Sequence, residues 1–229
     1  MFHAFLDLLF PPICLACQQR LDDEEQHLCF TCLATLPSAE LESTCRRTFL
    51  IEKLYGLLPL THAFSLYHFS KRGRVQHLLH HLKYHRAIEA LLFLGHHLGG
   101  KIQRRGPQAH FDLIIPVPLH PDRLHKRGYN QSECFAQGLS QALKVPMDKE
   151  ILQRKIHTST QTTKSRKARW KNLAEAFFVP PDLHERLHNQ SVLLVDDVIT
   201  TGATMAASAQ ALLPATPQAL SLATVALAV

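Results

Sequence analysis

Hydrophobic positions along this chain follow two periods, and their alternation predicts a sheet wrapped by helices. Val192, Leu193, Leu194 and Val195 form an unbroken apolar run, the pattern of a strand covered on both faces, as in a parallel sheet. Residues 112–117 and 219–229 read the same way, with Pro116 and Pro118 stopping the first of them. Shorter strands are predicted at 63–69, 150–156 and 176–179. Between these the period lengthens. Val75, Leu78, Leu79 and Leu82 recur on one helical face, a second apolar stretch follows at 87–98, residues 131–143 form an amphipathic helix, and another helix is predicted over 205–213. Residues 43–67 carry little pattern and read as a connection. The expected fold class is α/β, a central mainly parallel sheet flanked by helices.

Composition narrows this picture. With 229 residues, 46% of them hydrophobic, the chain can build one full domain plus a small appendage. No apolar run reaches the length of a membrane span, since residues 87–100 are interrupted by Glu89, His96 and His97. Residues 1–12 are apolar but lack a basic leader and are broken by Asp7, so the expected location is cytoplasmic. A net charge of +6 favours phosphorylated ligands or nucleic acid as partners.

The charge is distributed unevenly, and so is the candidate chemistry. Cys14-Leu-Ala-Cys17 and Cys29-Phe-Thr-Cys32 are two knuckles separated by eleven residues. That spacing suits four thiolates around a structural Zn²⁺; paired disulfides are the alternative, disfavoured in a cytoplasmic chain. Cys45 and Cys134 are spare thiols. His77, His81 and His85 share one helical face, and because no carboxylate or cysteine accompanies them they read as a solvated polar face rather than a metal stripe.

Farther along, residues 119–130 form a basic loop with Arg123, Lys126 and Arg127. Residues 157–172 hold Lys164, Arg166, Lys167, Arg169 and Lys171 without one acid. Such a run closes over an anion, either pyrophosphate as a lid or a nucleic-acid backbone, with Trp170 as its anchor or as a base-stacking ring. Asp196 and Asp197 mark the end of the 192–195 strand. Thr200, Thr201, Gly202, Ala203 and Thr204 follow, small and hydroxylated, so that backbone N–H groups and a helix N-terminus converge as a phosphate cradle beside two carboxylates.

Residues 191–204 resemble the 5-phosphoribosyl-1-pyrophosphate (PRPP) motif of type I phosphoribosyltransferases. Adding the paired knuckles, Pro116-Val-Pro-Leu-His-Pro, Arg-Gly-Tyr-Asn-Gln at 127–131, Gln161, Ser165-Arg166, Arg169 and Asn172, nearly the whole chain resembles the ComF family of competence-linked phosphoribosyltransferase-like proteins. The resemblance implies a type I phosphoribosyltransferase fold with a small N-terminal zinc-ribbon-like element, divided as a ribbon at 1–46, a connection or hood at 47–70 and the phosphoribosyltransferase-like domain at 71–229.

It further implies 5-phosphate binding by Thr200, Thr201, Gly202, Ala203 and Thr204, and pyrophosphate binding by Val117, Pro118, Leu119, Arg123 and Arg127, with a strained cis peptide within 117–119. Asp196, Asp197, Lys164 and Arg166 take the catalytic roles, Mg²⁺ accompanies PRPP, and Zn²⁺ sits on Cys14, Cys17, Cys29 and Cys32. Single-stranded DNA or uptake proteins such as the competence helicase are further implied partners, and a dimer is the expected assembly. A non-catalytic DNA-handling or scaffold protein that keeps the pocket as a sensor or relic is the rival reading. Two departures stand out: relatives often carry further ribbon cysteines after the first four, where only Cys45 remains here, and Ala168 stands where relatives often carry Glu.

Overall fold

The computed structural model describes residues 11–39, 54, 58–84, 87–106, 109–155 and 176–228. Their elements in chain order are α1 (Phe30–Thr35), β1 (Leu60–Phe69), α2 (Arg74–Tyr84), α3 (Ile88–Arg104), β2 (Leu113–Pro116), α4 (Pro121–Arg127), α5 (Gln131–Leu143), β3 (Gln153–Arg154), β4 (Phe177–Phe178), a 3-10 turn (Pro181–Arg186), β5 (Ser191–Ile199), α6 (Ala203–Leu212), a second 3-10 turn (Leu213–Ala215) and β6 (Ala219–Ala228). Four strands pair in the order β1-β6-β5-β2, all parallel.

Alternation along β5 explains the three layers. Leu193 and Val195 join one buried cluster with α2, α3 and α5, whereas Val192 and Leu194 join a second with α6. All four are at most 1% exposed, which is why the run is apolar without a break.

Several elements differ from the sequence pattern for local reasons. The strand expected at 150–156 shrinks to Gln153–Arg154 and pairs antiparallel with Phe177–Phe178, outside the main sheet. The basic loop at 119–130 contains α4, started by His120 as N-cap with Pro121 at the first position and ended by Gly128 at φ 79°. β5 does not stop at Val195 but runs through both aspartates to Ile199, because β6 pairs with it along that whole length. The cis peptide expected within 117–119 is absent. Val117 stays in the extended ladder, its N–H donating to the Val195 carbonyl (2.8 Å) and its own carbonyl accepting from Asn130 Nδ2 (3.0 Å).

The ribbon is welded to the sheet. The Ala39 N–H donates to the Leu66 carbonyl (3.0 Å) and the His68 N–H to the Pro37 carbonyl (2.7 Å), so residues 37–39 cover the free edge of β1. On the same side α3 and α5 cross at Gly95 and Gly138. A Cβ on Gly95 would lie 2.8 Å from the Gly138 Cα and closer still to the Phe135 carbonyl oxygen. Gly138→Ala should therefore cost about 1–3 kcal/mol of folding free energy by urea unfolding, the overpacking penalty of a contact with backbone on both sides.

Candidate functional site

The carboxyl ends of β2 and β5 lie side by side, and the chain leaving each one turns over the same edge of the sheet. In an open parallel sheet this edge is where ligands sit. A cleft of about 340 Å³ opens there, lined by Lys83, Val117, Pro118, Leu119, Arg123, Arg127, Gln131, Ser132, Arg154, Asp196, Asp197, Val198, Thr200 and Thr204. Two stretches far apart in sequence thus meet: 117–119 with the basic α4, and 196–204, where the two aspartates run into the hydroxyls around the start of α6. Thr201, Gly202 and Ala203 complete the turn between Thr200 and Thr204. Gly202 takes φ 75°, a left-handed conformation, and Ala203 begins α6, directing that helix's free N–H groups at the loop. Lys164, Arg166 and Trp170 lie outside the described residues.

The two aspartates have different environments. Asp196 is 8% exposed, and its Oδ1 accepts from Ser132 Oγ (2.8 Å) and from the Asp197 N–H (2.9 Å). Burial and the neighbouring Asp197 push its carboxyl up to about 7, against the Ser132 and Asp197 hydrogen bonds and Lys83, which pull it down. Asp197 faces the cleft more openly, with Lys83 Nζ 3.5 Å from its Oδ2.

The basic side is equally organised. Arg127 Nη1 donates to Gln131 Oε1 (2.8 Å), and its guanidinium lies 5.7 Å from the centre of the Tyr84 ring. Arg154 packs 5.1 Å over Phe177, and burial first, then Arg123, pushes its guanidinium down while Asp196 holds it up. Lys83, Ser132 and Arg154 were not among the residues the sequence pattern singled out, and Gln131 entered only as part of the Arg-Gly-Tyr-Asn-Gln stretch. A basic residue at a helix end, a hydroxyl in the first turn after the basic loop, and a cation on a short strand are the signals they carried.

At the other end of the molecule, Cys14, Cys17, Cys29 and Cys32 bring four sulfurs within 4.8 Å of one another. Cys17 and Cys29 Sγ are 3.7 Å apart, close to the roughly 3.8 Å edge of a tetrahedron with ~2.3 Å zinc–sulfur bonds. Backbone N–H groups already point at the sulfurs: Cys29 N to Cys14 Sγ at 3.4 Å and Cys32 N to Cys29 Sγ at 3.3 Å. Burial resists charge at Cys14, yet the backbone N–H groups of Cys17, Cys29 and Ala16 bring its thiol down to about 7, whereas burial and the neighbouring thiols push Cys32 far up. Four thiolates in so small a space require a dication, and the residues fit a structural zinc site. Cys134, apart from this group, is half-buried and pushed up to about 11, foremost by burial.

Comparison with known proteins follows the same division. Residues 130–228 match the family model described as phosphoribosyl transferase domain, and residues 5–48 match the double zinc ribbon domain. Competence protein F of Haemophilus influenzae is 45% identical over 94 residues, 41% of each chain. DNA utilization protein YhgH of Salmonella typhimurium is 36% identical over 139 residues, 59% of this chain and 60% of the relative. Competence protein ComFC of Bacillus subtilis is 23% identical over 206 residues, 88% of this chain and 78% of the relative. The matched part of this chain thus spans about half the length of the first two relatives.

The buried aspartate generates a pH prediction. A carboxyl raised from 3.8 to about 7 on folding contributes stability that is fully present below the unfolded value and is lost as pH rises through about 7. Asp196→Asn should therefore flatten the decline in stability between pH 4 and 8, gaining on the order of 1 kcal/mol over the wild type at pH 8 and much less at pH 5, read from urea melts at each pH. A parallel offset at both pH values would show that Asp196 is ionised throughout.

Proposed function

Because this chain belongs to the ComF family of phosphoribosyltransferase-like proteins with an N-terminal zinc ribbon, we propose that its cleft binds PRPP with Mg²⁺ and transfers the phosphoribosyl group to an acceptor. The observation that carries the reading is the convergence of an acid pair, a hydroxyl-rich helix N-terminus and three arginines on one cleft of about 340 Å³. A ribose 5-phosphate dianion needs several fixed donors, and the turn from Thr200 to Thr204 supplies hydroxyls and backbone N–H groups. Ribose hydroxyls need acceptors, and the Asp197 carboxylate supplies them. Arg123 and Arg127 stand where pyrophosphate would leave, Arg127 already steadied by Gln131 and Tyr84.

In the reaction the bond from C1 to the pyrophosphate oxygen breaks, the leaving group takes the electron pair, and a bond from the acceptor to C1 forms as the acceptor gives up a proton. The transition state has oxocarbenium character, as in glycoside hydrolysis. No side chain need attack. The carboxylates lie beside the developing positive charge and the guanidiniums beside the growing negative charge, so the chain's contribution is positioning and electrostatics. Mg²⁺, a hard cation suited to oxygen donors such as these aspartates, would neutralise pyrophosphate when bound. Lys164 and Arg166 belong to the same reading as anion contacts from the basic run at 157–172.

A second reading is supported by the names of the relatives, DNA utilization and competence proteins, and by one surface feature. Gln18, Arg72, Gln76, His77, His80 and His81 line a hollow of about 420 Å³ with no acid among them, suited to a phosphate backbone. On this reading the protein handles single-stranded DNA for an uptake machinery and keeps the PRPP pocket as a sensor.

Calorimetry separates the two. Asp197→Asn should weaken PRPP binding in Mg²⁺ at least about tenfold, the scale of a lost charged acceptor, while changing stability little, since the half-buried Lys83–Asp197 pair is reached by solvent through the cleft and contributes little to folding. Unchanged PRPP affinity would sink the transferase reading. DNA affinity that falls steeply with salt and is indifferent to Asp197→Asn would favour the second.

A further inference from the structure

We propose that helix α2 makes the metal-binding ribbon part of the phosphoribosyl cleft, with Lys83 as a further ligand-binding residue and Arg74 as the residue that positions it. The identity of the ligand rests on the PRPP reading above; the mechanical coupling does not.

The two ends of α2 touch the two chemical centres of the molecule. At its first residue Arg74 donates from Nη1 to Cys32 Sγ (3.6 Å) and from Nη2 to the Thr35 carbonyl (3.5 Å). At its penultimate residue Lys83 Nζ lies 3.5 Å from Asp197 Oδ2 and lines the cleft. The eleven residues of α2 span roughly 15 Å of rigid helix between these two contacts. The face between is buried, and Val75, Leu78, Leu79 and Leu82 share one core with Cys14, Leu21, Leu28, Cys29, Cys32 and Leu36 of the ribbon. The helix cannot turn or slide without disturbing the packing around the sulfurs.

The ribbon itself is held elsewhere. Residues 37–39 pair with β1, and His27 meets Phe93 of α3 edge-on at 5.7 Å. It therefore acts as a fixed abutment for Arg74. The last turn of α2 in turn supports more than Lys83: the Leu82 carbonyl accepts from Tyr129 Oη (2.6 Å), and Tyr84 lies against Arg127. Two of the cleft's cations take their bearings from this one helix end.

Lys83 is also distinctive by origin. Among the described residues lining the cleft it alone precedes β2 in the chain. Its ammonium has three donors and a flexible stem, so it can follow an anionic oxygen of a ligand when sugar hydroxyls donate to Asp197 in its place. A cation set on Cys32 at one end and a cation set on Asp197 at the other give the metal centre a path to the ligand.

The test uses the full-length protein with zinc bound, comparing Lys83→Met, Arg74→Met, Arg74→Lys and the double variant Arg74→Met/Lys83→Met. PRPP affinity in Mg²⁺ is measured by calorimetry, zinc content by metal analysis, and amide exchange across residues 74–84 by mass spectrometry. Lys83→Met should lose about tenfold in affinity, the scale of one charge-assisted contact, with zinc content and exchange unchanged. Arg74→Met should lose several-fold and speed exchange over 74–84, Arg74→Lys should recover part of both, and the double variant should bind no more weakly than Lys83→Met alone. Wild-type exchange and affinity in Arg74→Met, or losses that multiply in the double variant, would overturn the proposal. If the wild type has no PRPP affinity, the ligand reading fails, and the exchange comparison alone decides whether Arg74 holds the helix.

Discussion

Burying one carboxylate at the end of a strand is the constraint on which this site depends. β5 carries four side chains at most 1% exposed and then, still within the ladder to β6, Asp196 at 8% exposure. A carboxylate there costs free energy unless donors meet it. The ladder supplies one, the Asp197 N–H, and the first turn of α5 supplies another, the Ser132 hydroxyl. For Ser132 to be present, α5 must begin directly above the sheet edge. Asn130 secures that start, capping α5 with its side-chain oxygen and donating Nδ2 to the Val117 carbonyl. One buried acid thus ties β5, α5 and the turn after β2 into a single arrangement.

The same geometry sorts the charges. With Asp196 turned inward and raised by burial, Asp197 is the acid left facing the cleft, where it pairs with Lys83. Arg127 is held on the opposing wall by Gln131 and Tyr84, so it stands clear of the acid pair rather than collapsing onto it. Arg154, stacked on Phe177, is kept in place by packing as much as by charge. On the proposed PRPP reading the cleft needs acceptors and cations close together but unquenched. Side-chain packing on aromatic rings is what keeps them apart here.

Much of this was legible in the residues, and what was not has a physical reason. The 192–195 run announced a central strand because a strand buried on both faces has no polar positions to disguise it, and the Thr-Thr-Gly-Ala-Thr sequence announced a tight turn into a helix, since Gly202 takes the left-handed conformation from which α6 starts. The paired knuckles showed the thiol cluster because ligand spacing is a local property. Ser132, Lys83 and Arg154 were silent because their roles are tertiary: each is an ordinary residue of its own element until the sheet edge brings it to the aspartates. α4 was hidden in a stretch read as a loop, since a seven-residue helix with no buried side chain has no periodicity to display.

The position of the ribbon follows from two weaknesses that cancel. A segment of this size has too little apolar surface for a core of its own and relies on a metal to fold. Among the described strands β1 lies at the edge of the sheet, and an open edge invites pairing with another chain. Placing residues 37–39 along that edge satisfies backbone groups of both partners, and burying Leu21, Leu28 and Leu36 in the core of the larger domain gives the ribbon the apolar contact it lacks. A module docked in this way cannot be a loose tether. Its sulfurs, its hydrogen bonds to β1 and the helix that runs from Cys32 toward Asp197 form one continuous body, so whatever alters the metal centre alters a structure that the cleft shares.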